Sequence, residues 1–141
     1  MTCIAAIVED GKIIMGGDRA GSDGWNIETR TSPKVFQNGE FVMGFTTSFR
    51  MGQLLEHSFV PPQFVEGEKL MTYMVKRFIT EAQRCLVTGG FCKNEGPWKG
   101  GNFLVGVRGH LFHIESDFQV AEIIRPHTAV GSGESVAIGA L

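Results

Sequence analysis

The sequence predicts an α+β fold in which two antiparallel sheets stack on each other with helices outside. Three observations carry this expectation. Short β-branched runs separated by turn residues open the chain: Ile4 to Val8, then Glu9-Asp10-Gly11-Lys12, then Ile13 to Met15. One long stretch, Leu70 to Leu86, switches to the helical period. Strand-like runs then resume at Phe103. A chain of 141 residues with 43% hydrophobic residues fits one domain with a real core.

The elements follow in order. Ile4 to Val8 and Ile13 to Met15 read as a hairpin, and Gly16-Gly17-Asp18 ends its second strand. Gly21 to Pro33 carries few apolar residues and reads as a loop or irregular excursion. Val35 and Phe36 begin another strand, Asn38-Gly39 is the strongest short hairpin signal in the chain, and Phe41 to Thr47 is its partner. Met51, Leu54 and Leu55 suggest a short helix that Pro61-Pro62 breaks. Leu70, Met71, Met74, Val75, Phe78, Ile79, Ala82 and Leu86 recur at steps of three and four, predicting an amphipathic helix that Gly89-Gly90 stops. Lys93 to Gly101 is a polar, glycine-rich connection; its Gly96-Pro97-Trp98-Lys99-Gly100-Gly101 run lacks the pattern of a phosphate loop. Strands return at Phe103 to Val107, Leu111 to Glu115 and Gln119 to Ile124, and Ser135 to Leu141 opens a helix after Val130-Gly131-Ser132-Gly133.

Composition narrows the function classes. A net charge of −2 offers no basic surface for nucleic acid. No apolar run of membrane-spanning length occurs, and the N-terminus lacks a basic n-region and meets Glu9 and Asp10 too early for a signal peptide, so a cytoplasmic protein is expected. Cys3, Cys85 and Cys92 are odd in number and form no CxxC pair, which argues against a disulfide framework and against zinc. His110 and His113 fall on opposite faces of one strand and make poor co-ligands. No metal or cofactor is implied.

Chemistry centres on the N-terminus. Thr2 directly follows the initiator methionine and is small enough for methionine removal to expose it. A threonine hydroxyl needs a base, and a free α-amine on the same residue, with a pKa of about 7.7–8.0, can serve. A hairpin leaving Thr2 returns Asp18 near the N-terminus, and Lys34 opens the third strand after Pro33. A lysine beside the hydroxyl favours its deprotonation, and a carboxylate fixes the lysine. Taken singly, each has an ordinary explanation: an edge-strand threonine, a turn aspartate, a solvated lysine.

Sixteen residues separate Thr2 from Asp18 and sixteen separate Asp18 from Lys34. That spacing, with Gly16-Gly17-Asp18 and Lys34-Val35, resembles the N-terminal-nucleophile hydrolases of the proteasome catalytic-subunit and HslV type. Phe41-Val42-Met43-Gly44-Phe45 resembles the family's strand to the oxyanion loop. Val130-Gly131-Ser132-Gly133, with Ala137-Ile138-Gly139-Ala140-Leu141, resembles its Gly-Ser-Gly turn and following helix. The resemblance spans almost the whole chain. It implies a four-layer αββα sandwich and a threonine peptidase hydrolysing peptides or unfolded protein inside a homo-oligomeric ring, with an ATP-driven unfoldase as a possible partner. Thr2 would be the nucleophile, Lys34 would favour the alkoxide, Asp18 would hold Lys34, the backbone N–H of Ser48 would serve the oxyanion, and Ser132 would bind the Thr2 amine region. Gly21, Ser22, Ser32, Thr46 and Arg50 would line the side-chain pocket, with Thr46 at its floor and Arg50 favouring acidic or small side chains. Cys3 is the rival nucleophile, but in a strand it faces away from Thr2.

The pattern also departs from the family. Thr47-Ser48-Phe49 stands where the family has glycine, and the Asp-Ser-Arg tripeptide after the second strand is not reproduced. The chain stops at Leu141 inside the helix after the Gly-Ser-Gly turn, so a further supporting Asp and Ser have no counterpart. The expectation is one domain over residues 1–141 with the second helix layer cut short, as a fragment or a reduced architecture. An amidohydrolase acting on a small amide or a precursor protein, and an inactive scaffold subunit, are the competing readings.

Overall fold

The computed structural model describes residues 2–22, 24–92 and 100–141. The connection expected at Lys93 to Gly101 therefore lies outside the described residues except for Gly100 and Gly101, and Met1 lies outside them too. Strands β1 (Ile4–Glu9) and β2 (Lys12–Gly17) form the predicted hairpin, with Ile4 opposite Gly17 and Glu9 opposite Lys12. Strands β3 (Ala20–Ser22) and β4 (Ile27–Thr29) make a two-stranded ribbon where the sequence suggested an irregular excursion. Its backbone bonds need no apolar pattern, which is why composition hid it. Strands β5 (Val35–Asn38) and β6 (Phe41–Phe45) are the second hairpin. There Gly39 takes φ +61° at the first turn position. Asn38 stays in the strand, and its amide donates to the carbonyls of Leu55 and Phe59, both at 2.9 Å.

Helix α1 (Phe49–His57) follows, capped by Ser48, whose hydroxyl accepts from the N–H groups of Arg50 and Met51. The long amphipathic segment is one helical run in three parts: α2 (Leu70–Tyr73), a π-helical turn at Met74–Phe78, and α3 (Ile79–Thr88). Met74, Phe78, Ala82 and Leu86 are all fully buried and recur every four residues. A period of four overshoots the 3.6-residue α turn, and the wider π turn takes up part of the excess. Strands β7 (Phe103–Val107), β8 (His110–Ile114) and β9 (Val120–Glu122) continue the second sheet. Strand β10 (His127–Val130), which the sequence did not suggest, pairs with β1, and α4 (Glu134–Ala140) closes the described chain.

The result is α+β with every strand pairing antiparallel. One sheet runs β10-β1-β2, the other β5-β6-β7-β8-β9. The larger sheet has apolar contacts on both sides, which is why β7 is buried at every position. Phe103, Val105 and Val107 face the helices with Met51, Leu55, Phe78 and Leu86. Leu104 faces the smaller sheet with Ile4, Ala6, Leu111 and Val130. Phe78 anchors the helix side, with Phe41 and Phe59 rings each 5.1 Å from its own. Helix α4 packs against β10 and β1 on the far side of the smaller sheet. It buries no residue fully, and Val136 is 80% exposed. Among the described residues it alone represents that outer layer. No described helix is long and apolar enough to cross a membrane.

Gly44 sets how closely the sheets approach. A Cβ there would sit 2.5 Å from Ile4 Cγ2 and 2.9 Å from Met15 Sδ, both on the opposite sheet. Gly44→Val should therefore destabilise the fold by about 1–3 kcal/mol through overpacking. A urea-denaturation midpoint equal to that of the parent protein would mean that the sheets do not meet at this position.

Candidate active site

The hairpin and the β5 strand deliver three residues to one end of the sandwich. Thr2 precedes β1, Asp18 follows β2, and Lys34 precedes β5. Lys34 is buried to 3% exposure, an expensive place for an ammonium group unless it is paired. Its Nζ donates to Asp18 Oδ2 at 2.8 Å and to Thr2 Oγ1 at 2.9 Å. Asp18 is itself held by the backbone: Oδ1 accepts from the N–H of Cys3 at 2.8 Å and Oδ2 from the N–H of Ala20 at 2.9 Å. Burial alone would raise the Asp18 carboxyl, but Lys34 and these two N–H groups outweigh it and hold its pKa below the ordinary carboxylate value.

The turn after β10 completes the surroundings of Thr2. Ser132 Oγ accepts from the Thr2 nitrogen at 3.1 Å and donates to the Thr2 carbonyl at 3.3 Å. The N–H of Gly133 reaches the same carbonyl at 3.1 Å. Gly131, with φ +102°, makes this approach possible, since a Cβ there would collide with the Thr2 carbonyl. Cys3 turns the other way: its side chain packs under Gly133, and it is not among the described residues lining the cleft.

That cleft has a volume of about 730 Å³ and includes Thr2, Lys34 and Ser132. Of the pocket residues expected from sequence, Gly21, Ser22 and Thr46 line it. Ser32 and Arg50 do not; they line a neighbouring groove of about 250 Å³ beyond Phe45 and Phe49. The cleft instead contains Glu28 and Arg30, which sequence reasoning missed inside the supposed loop. The signal available was their alternation with Ile27 and Thr29.

Ser48 sits at the cleft, but its N–H is engaged. It donates to the carbonyl of Thr46 at 2.7 Å, closing a three-residue turn in which Thr47 takes φ +73°. That sign of φ belongs to the rarer, strained kind of γ-turn. Side chains brace it: Thr46 Oγ1 donates to the carbonyl of Asn102 at 2.9 Å and lies 3.0 Å from Thr47 Oγ1. For this N–H to serve an oxyanion, the turn must open. No group of three or more His, Cys, Asp or Glu among the described residues is placed to hold a metal ion. His110 binds Glu122 at 2.8 Å on one face of β8. On the other face His113 is half-buried, and the loss of solvent lowers its pKa.

The pairing of Asp18 with Lys34 predicts a pH signature. Asp18→Asn should cost about 2 kcal/mol of stability, less than a fully buried pair because Asp18 is a third exposed. Because the native pKa of Asp18 is depressed, that contribution is fully present above the unfolded carboxylate pKa of about 4 and lost as pH falls through the native value. Denaturation of parent and variant across pH should give a constant gap above pH ~5 that closes in acid. A gap that does not shrink in acid would mean that the Asp18 charge does not support Lys34.

Neither a protein-family profile nor any curated protein matches the sequence. Solved structures do. Thiobacillus denitrificans BPH superimposes with a TM-score of 0.76 at 19% identity, over 98% of this chain and 76% of that one. The same protein has been solved in complex with epoxomicin, and there the TM-score is 0.74. HslV from Trypanosoma brucei matches with a TM-score of 0.62 at 17% identity over 98% of this chain and 76% of that one. The Gly-1 mutant of Anbu from Hyphomicrobium sp. strain MC1 matches with a TM-score of 0.61 at 18% identity, over 94% of this chain and 61% of that one. The stacked sheets and flanking helices of this chain thus have the fold of the HslV- and proteasome-type N-terminal-nucleophile hydrolases.

Proposed function

We propose that this chain is a threonine-type peptidase whose nucleophile is Thr2, acting on peptides or unfolded protein within a homo-oligomeric ring. The observation that carries the reading is the run Asp18–Lys34–Thr2, with hydrogen bonds of 2.8 and 2.9 Å, opening on a cleft. In the proposed reaction, loss of Met1 frees the Thr2 amine. Through a water, the amine takes the hydroxyl proton as Oγ1 attacks the scissile carbonyl. Lys34 favours the developing alkoxide because it already donates to Oγ1. The protonated amine then gives its proton to the leaving nitrogen, and the C–N bond breaks. Water next hydrolyses the Thr2 ester, releasing the acid and restoring the hydroxyl. Ser132, which accepts from the Thr2 nitrogen at 3.1 Å, would keep the freed amine in place.

An oxyanion donor in comparable sites is worth roughly 3 kcal/mol. Here Ser48 is assigned that role once substrate opens the Thr46–Ser48 turn. The ring, and an ATP-driven unfoldase feeding it, belong to the same reading: they are consistent with a fold shared with HslV and with the exposed apolar residues of α4.

Three substitutions separate the roles. Thr2→Ala should abolish turnover of a fluorogenic peptide, Thr2→Ser should retain measurable turnover, and Lys34→Ala should lose about 10³-fold or more. Epoxomicin should add its mass to residue 2 after Met1 removal, read by tryptic mass spectrometry. Full activity in Thr2→Ala, or labelling at Cys3 instead, would overturn the assignment of the nucleophile.

A further inference from the structure

The β3–β4 ribbon brings charge to a wall of the cleft that the Thr2–Lys34–Asp18 run does not use. Glu28 and Arg30 are two residues apart, and both line the cleft. Glu28 pairs across the ribbon with Gly21, where a Cβ would meet Arg30 Nε at 2.9 Å, so the missing side chain leaves room for the arginine. The backbone N–H of Arg30 donates to the Arg19 carbonyl at 2.9 Å, fixing the strand beneath it.

The guanidinium is held by two of its features. Its Nε pairs with Glu28 Oε1 at 3.0 Å, and its flat face lies on the Phe49 ring, 3.9 Å from the centroid. The two terminal nitrogens have no hydrogen-bond or ion-pair partner among the described residues. They form the fork that receives a carboxylate in two parallel hydrogen bonds. Lys34, the other cation lining the cleft, already donates to Asp18 and Thr2. It lies 5.6 Å from the same Phe49 centroid, so that one ring adjoins both cations. Among the described residues lining the cleft, a basic substrate side chain would meet Arg30 and Lys34 against Glu28, whose side chain is 69% exposed and screened.

We infer that Arg30, oriented by Glu28 and Phe49, is the specificity residue of this cleft and selects peptides with an acidic side chain beside the scissile bond. The inference rests on the peptidase reading for the bond that is cleaved, not for the binding of the acid. Arg50, the arginine that the family resemblance placed at the pocket, lines the neighbouring groove and takes no part. Glu28 acts as a positioning residue through Nε, and its negative charge beside the fork opposes an incoming carboxylate.

The test uses the Thr2→Ala protein, so that binding is read without turnover. Peptides blocked at both ends and differing only as Glu or Gln before the scissile position are titrated by fluorescence anisotropy. The Glu peptide should bind about tenfold tighter than the Gln peptide. Adding Arg30→Met should bring the ratio to one, and adding Arg30→Lys should leave part of it. Adding Glu28→Gln should raise Glu-peptide affinity about two- to fivefold, the range of an exposed ion pair. This gain cannot come from misfolding. Adding Arg50→Met should leave the ratio unchanged. A Glu-to-Gln ratio that survives Arg30→Met, or a ratio of one at the outset, overturns the inference. Epoxomicin labelling of the chain with Thr2 intact is the separate arm. Labelling with a ratio of one sinks only the acidic preference, whereas a tenfold ratio without labelling leaves the acid-binding cleft standing and removes the peptidase.

Discussion

A buried lysine is the constraint around which this end of the molecule is built. Taking an ammonium group out of water costs several kcal/mol unless it is paired and hydrogen-bonded. Lys34 is 3% exposed, so the chain must supply acceptors, and it does so from two directions: Asp18 at the end of β2 and Thr2 before β1. Asp18 in turn takes N–H groups from Cys3 and Ala20. One cation therefore ties the start of β1, the end of β2 and the start of β5 into a single unit. The N–H of Phe45 on β6 closes on the Lys34 carbonyl at 3.0 Å and extends that unit into the second sheet. Stability and the proposed chemistry share these bonds, because the hydroxyl that satisfies Lys34 is also the one proposed as the nucleophile.

Small residues make the arrangement geometrically possible. The β1–β2 hairpin lies close over β5 and β6 because Gly44 has no side chain to hold Ile4 and Met15 away. The turn carrying Ser132 approaches the Thr2 carbonyl because Gly131 is a glycine with positive φ. The exception is informative. Thr47 takes a positive φ without being glycine, and the turn it makes holds the Ser48 N–H on Thr46 rather than presenting it to the cleft. A β-branched residue in that conformation stores strain, and opening the turn releases it.

Much of this was legible in the residues. Short apolar runs bounded by turn residues located the two leading hairpins and the β7–β8 pair, and the helical period located the amphipathic helix. The π turn inside the helix was not legible, since it follows from packing four-residue repeats against one sheet. The β3–β4 ribbon and β10 were missed for a shared reason: both are short and held by backbone pairing, which leaves no hydrophobic rhythm. The two sixteen-residue spacings pointed to Thr2, Asp18 and Lys34, which the structure brings within hydrogen-bonding distance. Ser132 was legible through its glycine-flanked turn. Ser32 and Arg50 were placed in the pocket by position along the chain, and the structure separates them from it by Phe45 and Phe49.

What the sequence determined by itself was which groups are candidates for the chemistry and the strand ends beside which they sit. Local pattern controls hairpins and helices, and two strands of nearly equal length must bring Asp18 back to Thr2. What only the tertiary structure decided was the wall facing those groups. Arg30 rather than Arg50 enters the cleft because a backbone-paired ribbon folds over Phe49, and Ser48 turns its N–H inward because Thr46 is anchored to Asn102. Both outcomes depend on residues distant in the chain meeting across packed surfaces. Such contacts leave no periodicity to read, because they are set by the shapes of two elements rather than by the order of residues within one.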